Sequence, residues 1–203
     1  LITTSSPARR RRLLALAFGL PMLLAACRRG AVSFSATDVT GAPFGRELAL
    51  TDHTGKPRSL TDFRGQVVVV FFGFTQCPDV CPTTLAEMAQ VMNALGERAG
   101  KVQVLFVTLD PERDTQALLA QYVPAFNPRF IGLRGSPEET DRAAREFKVF
   151  YQKVNGSTPG SYSIDHTAGS YVFDATGRLR LFVKHAQGVA PLAADIGRLL
   201  DGA

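Results

Sequence analysis

Gln66-Val67-Val68-Val69-Val70-Phe71-Phe72-Gly73-Phe74-Thr75-Gln76-Cys77-Pro78-Asp79-Val80-Cys81-Pro82-Thr83 is the stretch that decides the fold. Gln66 to Gly73 is an almost unbroken apolar run, as expected of a strand buried on both faces. Pro82 stands where a first helical turn tolerates proline. Leu85, Met88, Met92 and Leu95 then recur at helical spacing and should face the core. A buried strand therefore runs into a helix, with Cys77 and Cys81 at the junction.

Working outward, Leu48 to Leu50 and Arg58 to Leu60 flank a hairpin-like turn at Asp52-His53-Thr54-Gly55-Lys56. Val102 to Leu109 reads as a second buried strand, ending at Asp110-Pro111-Glu112-Arg113-Asp114-Thr115. Asp114 or Thr115 can cap a helix running to about Tyr122. Phe130 to Leu133 is a short strand. Ser136-Pro137-Glu138-Glu139 is a capping box opening a helix to about Phe147. Residues 155–164 read as a loop rich in Gly, Ser and Pro. Ser170 to Asp174 and Leu179 to Val183 pair as a hairpin, and Pro191 opens a last helix. This alternation predicts an α/β domain, a central mixed sheet with helices on both faces. With cysteines at a strand end and helix N-terminus, the layout is thioredoxin-like.

The leading residues read as an address. Arg9 to Arg12 precede an apolar run from Leu13 to Leu24, too short for a membrane span of about 20 residues. Leu24-Ala25-Ala26-Cys27 resembles a lipobox, so residues 1–26 are expected to be a lipoprotein-type signal and Cys27 the lipid-bearing residue. Residues 27–45 read as a flexible tether, and 46–203 as the folded domain. Removing residues 1–26 takes away four arginines and no acidic residue, and the formal charge falls from +5 to +1. The basic character thus belongs mostly to the signal and makes no case for nucleic acid. The expected location is outside the cytoplasm, anchored by lipid to the cytoplasmic membrane.

Of three cysteines, one goes to the lipid, leaving Cys77 and Cys81 as a lone pair in an oxidising compartment. A disulfide framework would show more pairs at longer spacing. Residues four apart on a helix hold their Cβ atoms about 5–6 Å apart, wide for a disulfide, where the spacing is about 3.8 Å. Metal comes first on this reading and redox chemistry second. A helix N-terminus lowers a cysteine pKa, so both thiols are expected to ionise near neutral pH. His166, in Ser163-Ile164-Asp165-His166-Thr167, is the natural third ligand. Two thiolates and one imidazole suit Cu(I) and can hold Cu(II), whereas structural zinc wants a fourth ligand. Asp165 either orients the imidazole or faces solvent. His53 and His185 read as surface residues, and Met88 and Met92 as core instead of copper ligands. The Asp110-to-Thr115 stretch is either a capped loop or a partner contact.

Cys77-Pro78-Asp79-Val80-Cys81-Pro82, preceded by Phe72-Gly73-Phe74-Thr75, resembles the signature of the Sco/SenC/PrrC family. Asp110 to Thr115 resembles that family's second motif and Asp165-His166-Thr167 its third, over roughly residues 40–200. The resemblance implies copper on Cys77, Cys81 and His166, and a role in loading the copper A centre of cytochrome c oxidase. Implied partners are the copper A subunit and other periplasmic copper chaperones. The departure from many relatives is the anchor, a lipid on Cys27 in place of a transmembrane helix.

A second reading is an extracytoplasmic thiol-disulfide oxidoreductase acting through Cys77 and Cys81. Three intervening residues, not two, weaken the comparison with ordinary thioredoxins, and such an enzyme has no need of His166. A third reading is a peroxidase, since Phe74-Thr75-Gln76-Cys77-Pro78 resembles a peroxiredoxin loop, but no other residue supports it.

Overall fold

The side chains of β4 (Val67–Gly73) explain the architecture. Every one is buried, and alternate residues point to opposite faces of the strand. Val67, Val69 and Phe71 join one apolar cluster, Val68, Val70 and Phe72 another. A sheet with two such faces must be covered on both.

The computed structural model describes residues 32–203, so the expected signal and Cys27 lie outside the described residues. Eight strands form one sheet in the order β1-β10-β9-β4-β5-β6-β2-β3. They are β1 (Thr37–Asp38), β2 (Ala49–Asp52), β3 (Pro57–Ser59), β4, β5 (Val102–Thr108), β6 (Ile131–Arg134), β9 (Gly169–Phe173) and β10 (Leu179–Lys184). The strands β4, β5 and β6 run parallel, and β9 pairs antiparallel with β4. Helices α1 (Val80–Leu95), α2 (Gln116–Phe126) and α4 (Val189–Leu200) cover the Val69 face through Leu85, Met88, Leu119, Val123, Leu192 and Ile196. Helix α3 (Pro137–Glu146) covers the other face with Ala143 and Ala144. The mixed sheet with helices on both faces is thus the one expected. Ser136 accepts from Glu139 N–H in the anticipated capping box, and Thr115, not Asp114, caps α2. That helix runs past Tyr122 and takes Pro124 into its last turn.

Two expectations need correction. The tether does not extend to residue 45. The Asp195 carboxylate, fully buried on α4, accepts from the backbone N–H of Ser35 and of Ala36, β1 pairs with β10, and Gly45 N–H donates to Glu146 O. These backbone contacts and the packing of Phe34, Ala36, Val39, Ala42 and Phe44 against the core fasten this segment, and their irregular spacing leaves no apolar period to read. The expected loop at 155–164 is the tip of a hairpin, β7 (Tyr151–Asn155) with β8 (Tyr162–His166), forming its own two-stranded sheet. Its strands are mostly exposed, so the buried-strand signature is missing.

Candidate metal centre

Chain geometry brings the first cysteine to the mouth of the site. After Gly73 the backbone turns, with Cys77 N–H donating to Phe74 O (3.3 Å), and α1 begins at Val80. Cys77 lies ahead of the helix and is half-buried; Cys81, in its first turn, is fully buried. The Cys81 N–H, one of the unpaired donors of the helix N-terminus, points at Cys77 Sγ (3.4 Å). Both cysteines are free thiols.

His166, the last residue of β8, comes from the far side. Its Nε2 is 3.6 Å from Cys81 Sγ, and the ligand atoms of Cys77, Cys81 and His166 all lie within 4.8 Å of one another. An ion with bonds of about 2.3 Å to sulfur and about 2.0 Å to nitrogen spans donors at about that Sγ–Nε2 separation when the angle is near tetrahedral. Thr167 O lies 3.0 Å from His166 Nδ1. A carbonyl can only accept, so Nδ1 carries the proton and Nε2 turns its lone pair to the thiols. Asp165 faces solvent, and the Thr167 carbonyl does the orienting. Phe71 and Phe74 meet the imidazole edge-on, with centroids 6.3 and 6.0 Å away. Burial lowers the His166 pKa, opposed by the Thr167 hydrogen bond and the Asp165 charge, which favours the neutral ring a metal needs.

Cys81 departs from expectation. Burial drives its thiol pKa strongly upward; the Phe74 backbone hydrogen bond opposes this, while Cys77 and Asp114 add to the rise. Helix position alone cannot offset desolvation in a pocket closed by aromatic rings. Without a metal Cys81 is therefore a protonated thiol, not a thiolate near neutral pH.

Two neighbours were not among the site residues read from the sequence, although Gly73 stands within the Phe72-Gly73-Phe74-Thr75 run. Gly73 is needed for close approach: a Cβ there would sit 2.8 Å from Cys81 Sγ and 3.0 Å from Phe106 Cε2. Tyr122 packs on Phe106 (5.9 Å), its hydroxyl buried without a hydrogen-bond partner among the described residues. Desolvation above all raises its pKa, with Cys81, Cys77 and Asp114 adding to the rise where they are ionised, and the phenol stays neutral. The other histidines are half-buried, contrary to the surface reading. His53 Nδ1 accepts from Gly132 N–H (2.9 Å), and His185 Nδ1 meets Thr84 Oγ1 (3.0 Å). Met88 and Met92 are core residues.

The profile of the SCO1/SenC family matches residues 36–201. The mitochondrial SCO2 homolog of Bos taurus is 38% identical over 154 residues, covering 75% of this chain and 58% of its own length. The chain thus spans less than two thirds of that relative. Copper-bound ScoI of Bradyrhizobium japonicum superposes with a TM-score of 0.71 at 38% identity, over 77% of this chain and 99% of its own. Apo Sco1 of Thermus thermophilus gives a TM-score of 0.74 at 43% identity, over 84% of this chain and 100% of its own.

Proposed function

The chain belongs to the SCO1/SenC family, and we propose that it is a copper-binding assembly factor that delivers copper to, or prepares, the copper A site of a cytochrome c oxidase. The observation that carries this reading is the convergence of Cys77, Cys81 and His166 on one point. Two sulfurs and a neutral imidazole form a soft donor set that suits Cu(I) and accommodates Cu(II). The copper-bound ScoI relative supports the choice of metal. Copper is cargo here. It enters as the Cys81 proton leaves, because a buried thiol gives up its proton most readily to a cation that takes its place. Cys77, the half-exposed ligand, is the side from which an acceptor can compete.

In cells, His166→Ala, Cys77→Ser and Cys81→Ser are each expected to lower oxidase activity and the copper content of the oxidase. Normal oxidase in the His166 variant, beside defective cysteine variants, would move the assignment to the second reading.

That second reading, reduction of client cysteines, is favoured by the asymmetry of the pair. Cys77, as thiolate, attacks a client disulfide; its sulfur bonds to one client sulfur while the other leaves as thiolate. Cys81 then attacks Cys77, its proton passing to that thiolate, and the bond from Cys77 to the first client sulfur breaks. That sulfur leaves as thiolate and takes a proton from solvent, so the chain ends with a Cys77–Cys81 disulfide and the client with two thiols. Such a step readies the copper A cysteines before loading.

The proposal places the domain outside the cytoplasm, held to the membrane by lipid on Cys27 and supplied by other periplasmic copper chaperones. The basic run, apolar run and Leu24-Ala25-Ala26-Cys27 support it. Among the described residues no helix is long and apolar enough to cross a membrane. Cys27→Ser is expected to abolish fatty-acid labelling of the protein; undiminished labelling would exclude the lipid.

A further inference from the structure

Asp110-Pro111-Glu112-Arg113-Asp114-Thr115 leaves the end of β5 beside the metal centre. We propose, deepening the copper reading above, that this stretch is a clamp setting His166 against the cysteine pair, with Arg113 as the positioning residue that couples the two. The stretch is itself anchored. Arg134 of β6 donates from Nη2 to Pro111 O (3.0 Å) and from Nε to Asp114 O (3.3 Å), and Asp110 N–H donates to Thr108 Oγ1 (2.9 Å).

Two arms reach out from that base. The buried Asp114 carboxylate accepts from Thr75 N–H (3.0 Å), the Thr75 hydroxyl and Thr108 Oγ1 (2.6 Å), which fixes the turn just ahead of Cys77. Arg113 reaches further. Its Nε pairs with the buried Asp110 carboxylate, and its Nη1 donates to Gln76 Oε1 (3.1 Å) and Tyr162 O (2.8 Å). The guanidinium carbon lies 3.5 Å from the Tyr162 ring centroid, a stacking that Lys cannot reproduce. Tyr162 closes the loop by donating its hydroxyl to Asp110 Oδ1 (2.8 Å). Gln76 immediately precedes Cys77, and Tyr162 opens the strand that ends at His166. One planar group therefore ties the cysteine turn to the histidine strand.

The hairpin needs such a tie. Among the described residues β7 and β8 pair with each other and with no strand of the main sheet. A two-stranded hairpin alone is marginal in water. Ile164 is its one fully buried side chain, so the register of His166 over Cys81 depends on side-chain attachments. Arg113 Nη2 stays buried without a hydrogen-bond partner among the described residues, a cost suited to a group held for its geometry and not for its ion pair alone.

The test is a double-mutant cycle with Arg113→Gln and His166→Ala, read by Cu(I) competition against bathocuproine disulfonate. Arg113→Gln is expected to weaken Cu(I) retention about tenfold in the wild-type background and hardly at all in the His166→Ala background. In the Cu(II) form it should also weaken the electron-resonance hyperfine signal of the imidazole nitrogen. A metal-free measurement keeps the clamp separate from the copper reading. Diethyl pyrocarbonate should modify His166, located by peptide mapping, faster in Arg113→Gln than in wild type. Tyr162→Leu, which keeps the Asp110–Arg113 pair, should act in the same direction and serves if Arg113→Gln does not fold. Unchanged His166 protection in the metal-free variants, or equal loss of retention with and without His166, overturns the clamp. Failure of the wild-type chain to retain copper overturns the copper reading, while His166 protection still decides the clamp.

Discussion

At the scale of single residues, the site depends on atoms that leave room as much as on atoms that bind. Gly73 is the sharpest case, because the Cys81 sulfur occupies the space of its missing side chain. Gly73→Ala forces the thiol or the Phe106 ring aside, an overpacking expected to cost about 1–3 kcal/mol. The variant should lose copper retention along with that stability, whereas Gly100→Ala, whose Cβ meets nothing within 4 Å, should leave copper binding alone. Denaturant titration and copper competition on both variants check this, and full retention in Gly73→Ala would contradict it. The three candidate ligands were legible because their spacing and element context mark them. The thiol state of Cys81 was not. Position at a helix N-terminus can be read from sequence, but the ring-lined burial that dominates its pKa exists only once the strands are paired.

At the scale of elements, two turns use the same device. Asp52 of Asp52-His53-Thr54-Gly55-Lys56 takes Thr54 N–H (2.8 Å), Thr54 Oγ1 (2.6 Å) and Lys56 N–H (3.0 Å) on one oxygen and Arg58 Nε (2.8 Å) on the other. Asp174 repeats this with Thr176 N–H (3.0 Å), Thr176 Oγ1 (2.6 Å), Arg178 N–H (3.1 Å) and Arg178 Nε (3.0 Å). Gly55 and Gly177 supply the left-handed backbone at φ 88° and 79°. Burial opposes ionisation of Asp174, but hydrogen bonds from Thr176 and Arg178 outweigh it and hold its carboxyl below the usual 3.8. A depressed carboxylate stabilises the fold above its unfolded pKa and loses that contribution as pH falls through the folded value. Asp174→Asn should therefore cost about 1–3 kcal/mol at pH 7. The gap from wild type should narrow as the medium is acidified below the unfolded value. Urea melts at neutral and acid pH decide it; a gap that widens in acid contradicts the assignment. These turns were legible from Asp-x-Thr-Gly between apolar runs. The β7–β8 hairpin was not, because six of its ten side chains are exposed and only Ile164 is fully buried, with Tyr151, Tyr162 and His166 half-buried, which leaves no buried-strand run to read.

At the scale of the molecule, the sheet works as a ruler. Pairing of β4 with β5 in register from Val67↔Val102 to Gly73↔Thr108 brings the cysteine turn and the Asp110 stretch out at one edge. The hairpin then lays His166 over that edge. Alternating apolar strands and helices made this architecture legible. The docking of residues 34–45 was not, since its apolar residues Phe34, Ala36, Val39, Ala42 and Phe44 pack into both core clusters at no regular helical or strand period, beside Asp195 and backbone pairing. The central claim is that Cys77, Cys81 and His166 act as one copper site. The direct measurement is anaerobic copper titration of the folded domain under a competing chelator, wild type beside His166→Ala, Cys77→Ser and Cys81→Ser, with bound copper and free thiols counted together. One copper per wild-type chain is expected, with strongly weakened retention and both thiols still reactive in His166→Ala, and none retained in either cysteine variant. Undiminished copper in His166→Ala would contradict that claim.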